Sequence, residues 1–173
     1  TLEGNPVLSG VAIPVNPGTY TADETLLPGY SFEGFSGQCD SNGDVTVALG
    51  ESKSCTLTNN DNAPTLHLRK VVTTDNGGQA TLADFTLTAN GTGSNDISGT
   101  SPVDSDSTLK ADTFALSETN VSGYTPSSWS CLGGTQNGSN ITLGLGQEAT
   151  CTITNNDNAP SLTLVKSVSN THG

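Results

Sequence analysis

The sequence predicts an all-β protein made of tandem small β-sandwich domains of about seven strands each. Three observations carry this: a long internal repeat, a composition of strand and turn formers, and cysteines that fall in pairs within the repeat.

Composition bounds the class. The 173 residues include 20 Gly and 8 Pro and are only 13% charged, without the Ala, Glu, Lys and Leu enrichment of helical domains. At 32% hydrophobic content the core must be thin, so covalent staples would help it. Five Lys and Arg stand against 17 Asp and Glu, a net charge of −12. That surface repels phosphate backbones, so nucleic acid is not an expected partner. Acidic charge of this kind keeps an extracellular protein soluble and leaves cations as partners. No apolar run approaches the roughly 18 residues that cross a bilayer, and TLEGNPVLSG at the start has neither the basic nor the apolar region of a signal peptide. Membrane insertion within the segment is therefore not expected, and the chain reads as a mature or excised piece.

The repeat sets the organisation. CTLTNNDNAPTLHLRK at Cys55–Lys70 returns as CTITNNDNAPSLTLVK at Cys151–Lys166, an offset of 96 residues (151 − 55). YTADETLLPGY from Tyr20 matches FALSETNVSGY from Phe114, with Glu24 over Glu118, an offset of 94 (118 − 24). The expected units are residues 1–63, a repeat without its opening strand; 64–159, a complete repeat; and 160–173, the first strand of a further repeat. A period this long describes independent beads rather than a solenoid.

Period-2 runs mark strands at 65–72, 83–90, 108–112, 113–119, 128–131, 140–145 and 149–155, separated by DNGG, NGTGSND and GGTQNGSN turns. Seven short strands in about 95 residues make a β-sandwich. Cys131 and Cys151 fall in one unit and Cys39 and Cys55 in the other. Local pairs 131–151 and 39–55 are the simplest of three connectivities, and each would stabilise by about 3 kcal/mol. Thiolate metal sites and redox couples fit poorly, since no CxxC spacing occurs and neither His67 nor His172 is placed with the cysteines. An oxidising, extracellular or cell-surface location follows.

Three polar residues share the inward parity of this sandwich. Lys70 follows Leu66 and Leu68 at period 2, Asn155 follows Cys151 and Ile153, and Glu118 follows Phe114 and Leu116. Lys166, Asn59 and Glu24 hold the equivalent places in neighbouring repeats. Unpaired, such groups would cost several kcal/mol each in a core.

These residues resemble the prealbumin-like, collagen-adhesin B-type domains of bacterial pilins and surface proteins. The matching elements are a lysine late in the first strand, Gly18-Thr19-Tyr20 with Glu24 and a following Gly29-Tyr30, and an asparagine in the last strand; the complete unit departs with Asp112-Thr113-Phe114 before Glu118. The resemblance implies a prealbumin-like (immunoglobulin-like) sandwich. It also implies a spontaneous isopeptide bond between Lys70 and Asn155, assisted by Glu118. Burial favours the uncharged amine and acid that such an exchange needs, and folding supplies the proximity. A bond from first strand to last would let a pulling force cross the domain without unzipping it. The alternatives are a buried Lys–Glu ion pair with a hydrogen-bonded asparagine, or a lysine snorkelling at a strand end.

Asn60-Asp61-Asn62-Ala63-Pro64 recurs as Asn156-Asp157-Asn158-Ala159-Pro160 and resembles the calcium-binding linker of cadherins, though Thr58 and Thr154 stand where that pattern begins with aspartate. Calcium is the cation these oxygens would take; the alternative is a turn in which Asn and Asp cap their own backbone. No other cofactor is expected. Sequons occur at Asn90, Asn120, Asn137 and Asn140, and Trp129 and Tyr124 read as core packing. No Ser-His-Asp set, carboxylate pair or phosphate loop can be assembled, so an enzyme is not expected. The sequence thus points to a structural repeat of an extracellular fibre, stalk or pilus-like filament, with an adhesin module for a host, surface or carbohydrate ligand as the alternative. Adjacent repeats or subunits, arranged head to tail, are the expected partners. The missing opening strand reads either as a window cut from a longer array or as an edge completed by residues 161–168 of another subunit, whose Lys166 would meet Glu24 and Asn59.

Overall fold

The computed structural model describes all 173 residues. Fourteen strands occur in chain order: β1 Gly18–Thr21, β2 Tyr30–Gly37, β3 Asp44–Val47, β4 Cys55–Asp61, β5 Thr65–Thr73, β6 Leu87–Asn90, β7 Asp96–Gly99, β8 Val103–Asp104, β9 Asp112–Glu118, β10 Tyr124–Pro126, β11 Ser130–Gly133, β12 Thr135–Asn137, β13 Asn140–Leu143 and β14 Glu148–Asp157. A single 3-10 turn, Leu82–Asp84, is the only helical element.

Strands β5–β14 form a sandwich of two sheets. One runs β10-β14-β5-β8 with β11 also on β14, and the other runs β12-β13-β9-β6-β7. The alternation of TLHLRKVV and EATCTITNN does what it predicts. Leu66, Leu68 and Lys70 are buried on β5, and Ala149, Cys151, Ile153 and Asn155 on β14. Against them the second sheet sets Leu87, Ala89, Phe114, Leu116, Ile141 and Leu143 in one continuous cluster. Burying a Leu or Phe side chain contributes roughly 1.5–3 kcal/mol, so this cluster is the main source of stability.

The sandwich has ten strands where the sequence suggested seven. Residues 83–86 are not strand, because Thr81 N–H donates to Asp84 Oδ2 at 2.7 Å and curls the chain into the 3-10 turn. Residues 108–111 are not strand: the chain turns at Ser107–Thr108, where Thr108 N–H donates to Asp106 Oδ1 at 2.8 Å. Strands β7, β8, β10 and β12 are two to four residues long and carry little apolar alternation, so no period-2 signal announces them.

Residues 1–61 repeat the pairings but not the core. Tyr20 lies opposite Val45 in β1–β3 as Phe114 lies opposite Ile141 in β9–β13. Thr19 and Thr46 share a hydroxyl contact of 2.8 Å, as Thr113 and Thr142 do at 2.7 Å. Yet only Ala22 and Val45 are buried hydrophobics there, while Leu26, Leu27, Phe32 and Leu49 are exposed. The two regions meet at 62–64: Asn62 N–H donates to Gly29 O, Gly146 N–H to Asn62 O and Thr65 N–H to Gln147 O, each at 2.8 Å. Gly29 sits at φ 86°, and a Cβ there would lie 2.6 Å from Leu145 Cβ, so this contact requires glycine.

One carboxylate sets an acid limit. Asp112 accepts Thr92 N–H at 2.6 Å, Thr113 N–H at 2.7 Å and Asn95 Nδ2 at 3.1 Å, which lowers its pKa from 3.8 to about 2. A carboxylate depressed on folding stabilises above its unfolded pKa and loses that contribution as pH falls through the folded one. Asp84, Asp104, Asp106 and Asp157 are also lowered. Thermal midpoints should therefore fall as pH drops from about 4 to about 2. Asp112→Asn should flatten part of that slope, and an unchanged slope would reject the assignment.

Candidate functional site

Strands β5 and β14 are adjacent and parallel, and their register decides which polar groups meet. Lys70 lies opposite Ile153 and Val72 opposite Asn155, so Lys70 and Asn155 project from one face of neighbouring strands. Glu118, at the end of β9 in the facing sheet, completes the group. Its Oε2 is 2.6 Å from Lys70 Nζ, and the two side chains are 8% and 0% exposed. Phe85 covers the ammonium at 4.3 Å from its ring centroid, and Tyr124 packs edge-on against Phe85 at 5.9 Å. Burial pushes the Lys70 pKa down, and the Glu118 carboxylate partly holds it up.

Asn155 is buried, and its Oδ1 has no hydrogen-bond partner. An amide oxygen left so costs about 1–3 kcal/mol. Only Glu24 Oε1 shares this condition in the whole chain. An amine, a carboxyl group and an amide with an unengaged oxygen are thus gathered where water is scarce.

In residues 1–61 the same constellation is partial. Asn59 Nδ2 donates to Glu24 Oε2 at 2.9 Å, with no lysine beside them. Asn59 is exposed rather than inward, because β4 pairs only with β2 and nothing covers its other edge. Lys166 lies in residues 158–173, which form no strand.

The disulfides are Cys39–Cys55 and Cys131–Cys151, the local pairs among the three connectivities. Cys131 stands opposite Cys151 in the β11–β14 register, so the pairing of strands delivers the pairing of sulfurs. Trp129 is buried in the core cluster beside them.

The NDNAP junctions hold a clasp that the sequence reading did not find. Asp157 Oδ1 accepts Asp75 N–H at 3.0 Å, and its Oδ2 accepts Asn76 N–H at 2.9 Å and Gly78 N–H at 2.6 Å. A Cβ at Gly78 would lie 2.8 Å from Asp157 Oδ2, so only glycine admits this approach. Asn62 Oδ1 accepts the Ser31 hydroxyl and Asn158 Oδ1 the Thr125 hydroxyl, at 2.8 and 2.7 Å. The oxygens expected to face calcium at Asn62, Asp157 and Asn158 thus face N–H and O–H donors. No group of three or more His, Cys, Asp or Glu gathers at Asn60, Asp61 or Asn156. The Asp157 clasp had one trace in the sequence, the recurrence of an aspartate at the end of each closing strand; its partners, 75–78, lie about 80 residues away and could not be read.

The chain belongs to the family of prealbumin-like fold domains, whose match spans residues 61–153. Among solved structures it is similar to the major pilin protein T3.2 of Streptococcus pyogenes, with 13% identity and a TM-score of 0.46 over 81% of this chain and 66% of that one. The T-13 major pilin of the same species matches with 14% identity and a TM-score of 0.40, over 85% and 70%. The chain thus spans about two thirds of the length of the pilins it matches. No curated protein matches the sequence.

Proposed function

We propose that this chain is a load-bearing segment of an extracellular, pilus-like fibre, built from repeated prealbumin-like domains, and that Lys70 and Asn155 become joined by an isopeptide bond. The observation that carries the reading is the trio of Lys70 and Asn155, on the first and last strands of residues 64–159, with Glu118 at the end of β9 facing them. Proton transfer from Lys70 to Glu118 leaves a neutral amine, the form that burial of Lys70 favours, and a neutral acid. The amine attacks Asn155 Cγ while Glu118 protonates the carbonyl oxygen, which has no competing donor. The Glu118 carboxylate so formed takes a proton from the attacking Nζ and passes it to Nδ2; collapse then forms the Nζ–Cγ amide, returns the carbonyl proton to Glu118, breaks the Cγ–Nδ2 bond and releases ammonia. A single turnover suffices because folding holds the groups together.

Parallel pairing of β5 and β14 supports the mechanical role. Tension entering at Thr65 and leaving at Asp157 shears their whole ladder at once, and the bond would lock it. Within residues 64–159 Trp129, Phe85 and Phe114 are buried, while Tyr30 and Phe32 on β2 are exposed; in the complete repeat this favours a spacer over an adhesin whose ligand would rest on exposed aromatics. The test is intact mass under reducing conditions. The expected value is about 17 Da below the sequence mass, the ammonia lost in this exchange, and Glu118→Ala should restore the full mass. An unshifted mass would rule the bond out.

A further inference from the structure

Lys70 and Asn155 come together in one register of β5 on β14, and the inward faces of the two strands do not choose it. Leu66, Leu68 and Lys70 are buried on one strand, and Ala149, Cys151, Ile153 and Asn155 on the other. Because side chains repeat every two residues, a slip of two leaves all of them on the same face while carrying Asn155 about 6.6 Å along β5. Something beyond the apolar pattern has to select the register.

The Asp157 clasp stands where that selection can be made. Asp157 lies two residues past Asn155 on β14 and is buried. Its carboxylate gathers the N–H groups of Asp75, Asn76 and Gly78, in the loop that leaves β5 at Thr73. Asn76 Nδ2 adds a bond to Asp157 O at 3.0 Å. A shift of about 6.6 Å takes these donors out of hydrogen-bond reach, so the clasp closes in the observed register and not in its neighbours.

The same loop leads to the Lys70 amine. Ala80 N–H donates to Tyr124 Oη at 2.9 Å. The 3-10 turn at Leu82–Asp84 follows, and Phe85 ends the path, fully buried and 4.3 Å from Lys70 Nζ to its ring centroid. Tyr124 holds both ends of this path, with its hydroxyl at Ala80 and its ring against Phe85.

We infer that Asp157 is a positioning residue for the Lys70–Asn155 pair: by holding 75–78 it fixes the register of β5 on β14 and seats Phe85 over the Lys70 amine. It acts through the strand ladder and through Phe85. The arrangement also orders events. The clasp joins the loop after the first strand to the end of the last one, so it forms only once β14 has docked, and the amine is covered when Asn155 is in place.

The inference rests on the proposed Lys70–Asn155 bond, and the experiment reads the two apart. Asp157→Ala and Gly78→Ala break the clasp from opposite sides, since a Cβ at Gly78 would collide with Tyr124 Oη and lie 2.8 Å from Asp157 Oδ2. Placed on different elements, they keep the test readable if one of them fails to fold. Intact mass followed from the end of cell-free synthesis should show the loss of about 17 Da slowed about 100-fold in both, the cost of misplacing reacting groups by about 1 Å. Asp157→Glu, whose carboxylate still reaches the loop, should recover part of the rate. In an Asn155→Ala background, where no bond can form, proton NMR should find the Lys70 ε-methylene shifted upfield by the Phe85 ring, and Asp157→Ala should remove that shift as Phe85→Leu does. An unchanged rate in the clasp variants, or a Lys70 shift that survives Asp157→Ala, would overturn the inference. A wild-type protein that never loses the mass would overturn the bond instead, and the NMR comparison would then decide the role of Asp157 alone.

Discussion

Replacing Lys70 with alanine should lower the unfolding free energy of residues 64–159 by at least about 3–5 kcal/mol, because Glu118 is then buried without its cation. With the Lys70–Asn155 bond in place, the loss of an 85-residue loop closure (155 − 70) removes about 4–5 kcal/mol more. A domain of this size moves its melting point by about 4–8 °C per kcal/mol, so calorimetry should record a fall of about 20 °C or more. Lys70→Met with Glu118→Leu separates the two contributions. Removing both charges recovers most of the ionic cost and none of the covalent constraint. A Lys70→Ala protein melting within a few degrees of wild type would show that Glu118 is neither desolvated nor beside a cross-link.

Loss of the Cys131–Cys151 disulfide should cost about 3 kcal/mol for its 20-residue loop, with a further packing loss at Cys151, which is fully buried. In Cys131→Ala with Cys151→Ala the main transition should fall by about 12–24 °C. This loop lies inside the one that the proposed Lys70–Asn155 bond would close, so with that bond formed the two staples would restrict the same unfolded chain and their effects should be less than additive. Cys39–Cys55 predicts a different result. It closes 16 residues in a region with almost no core. Breaking it should loosen residues 1–61, read as faster amide exchange there, and leave the main transition in place. A shift of the main transition on losing Cys39–Cys55 alone would mean that the two regions melt as one.

The long strands were legible because burial imposes period 2 on them: TLHLRKVV and ATCTITN announce both their extent and their inward faces. The same parity placed Lys70, Glu118 and Asn155 in the core. What sequence could not supply is how separate elements meet. Phe85 was readable as apolar, but its position over the Lys70 ammonium depends on the 3-10 turn that Thr81 and Asp84 make. Asn59 shares the parity of Asn155 and is nevertheless exposed, because parity buries a side chain only when a neighbouring strand and a facing sheet exist. The Asp157 clasp depends on residues 75–78 arriving at one carboxylate, a long-range fact that an Asn-Asp-Asn string does not encode.

The joint at 62–64 has a consequence for form on a larger scale. It is made from main-chain bonds and one glycine contact, so the turn from one body to the next is set by backbone geometry rather than by replaceable side chains. Asn158 N–H already donates to Gly123 O at 2.8 Å, as Asn62 N–H does to Gly29 O. Half of an identical joint is thus formed at the far end. In the fibre proposed above, links that each repeat one rotation and one translation would have no freedom to wander, and the axis would trace a regular helix whose pitch is fixed by a single angle. Its resistance to bending would then be decided over three residues, Asn62, Ala63 and Pro64, and a glycine inserted there would turn a stiff thread into a slack one.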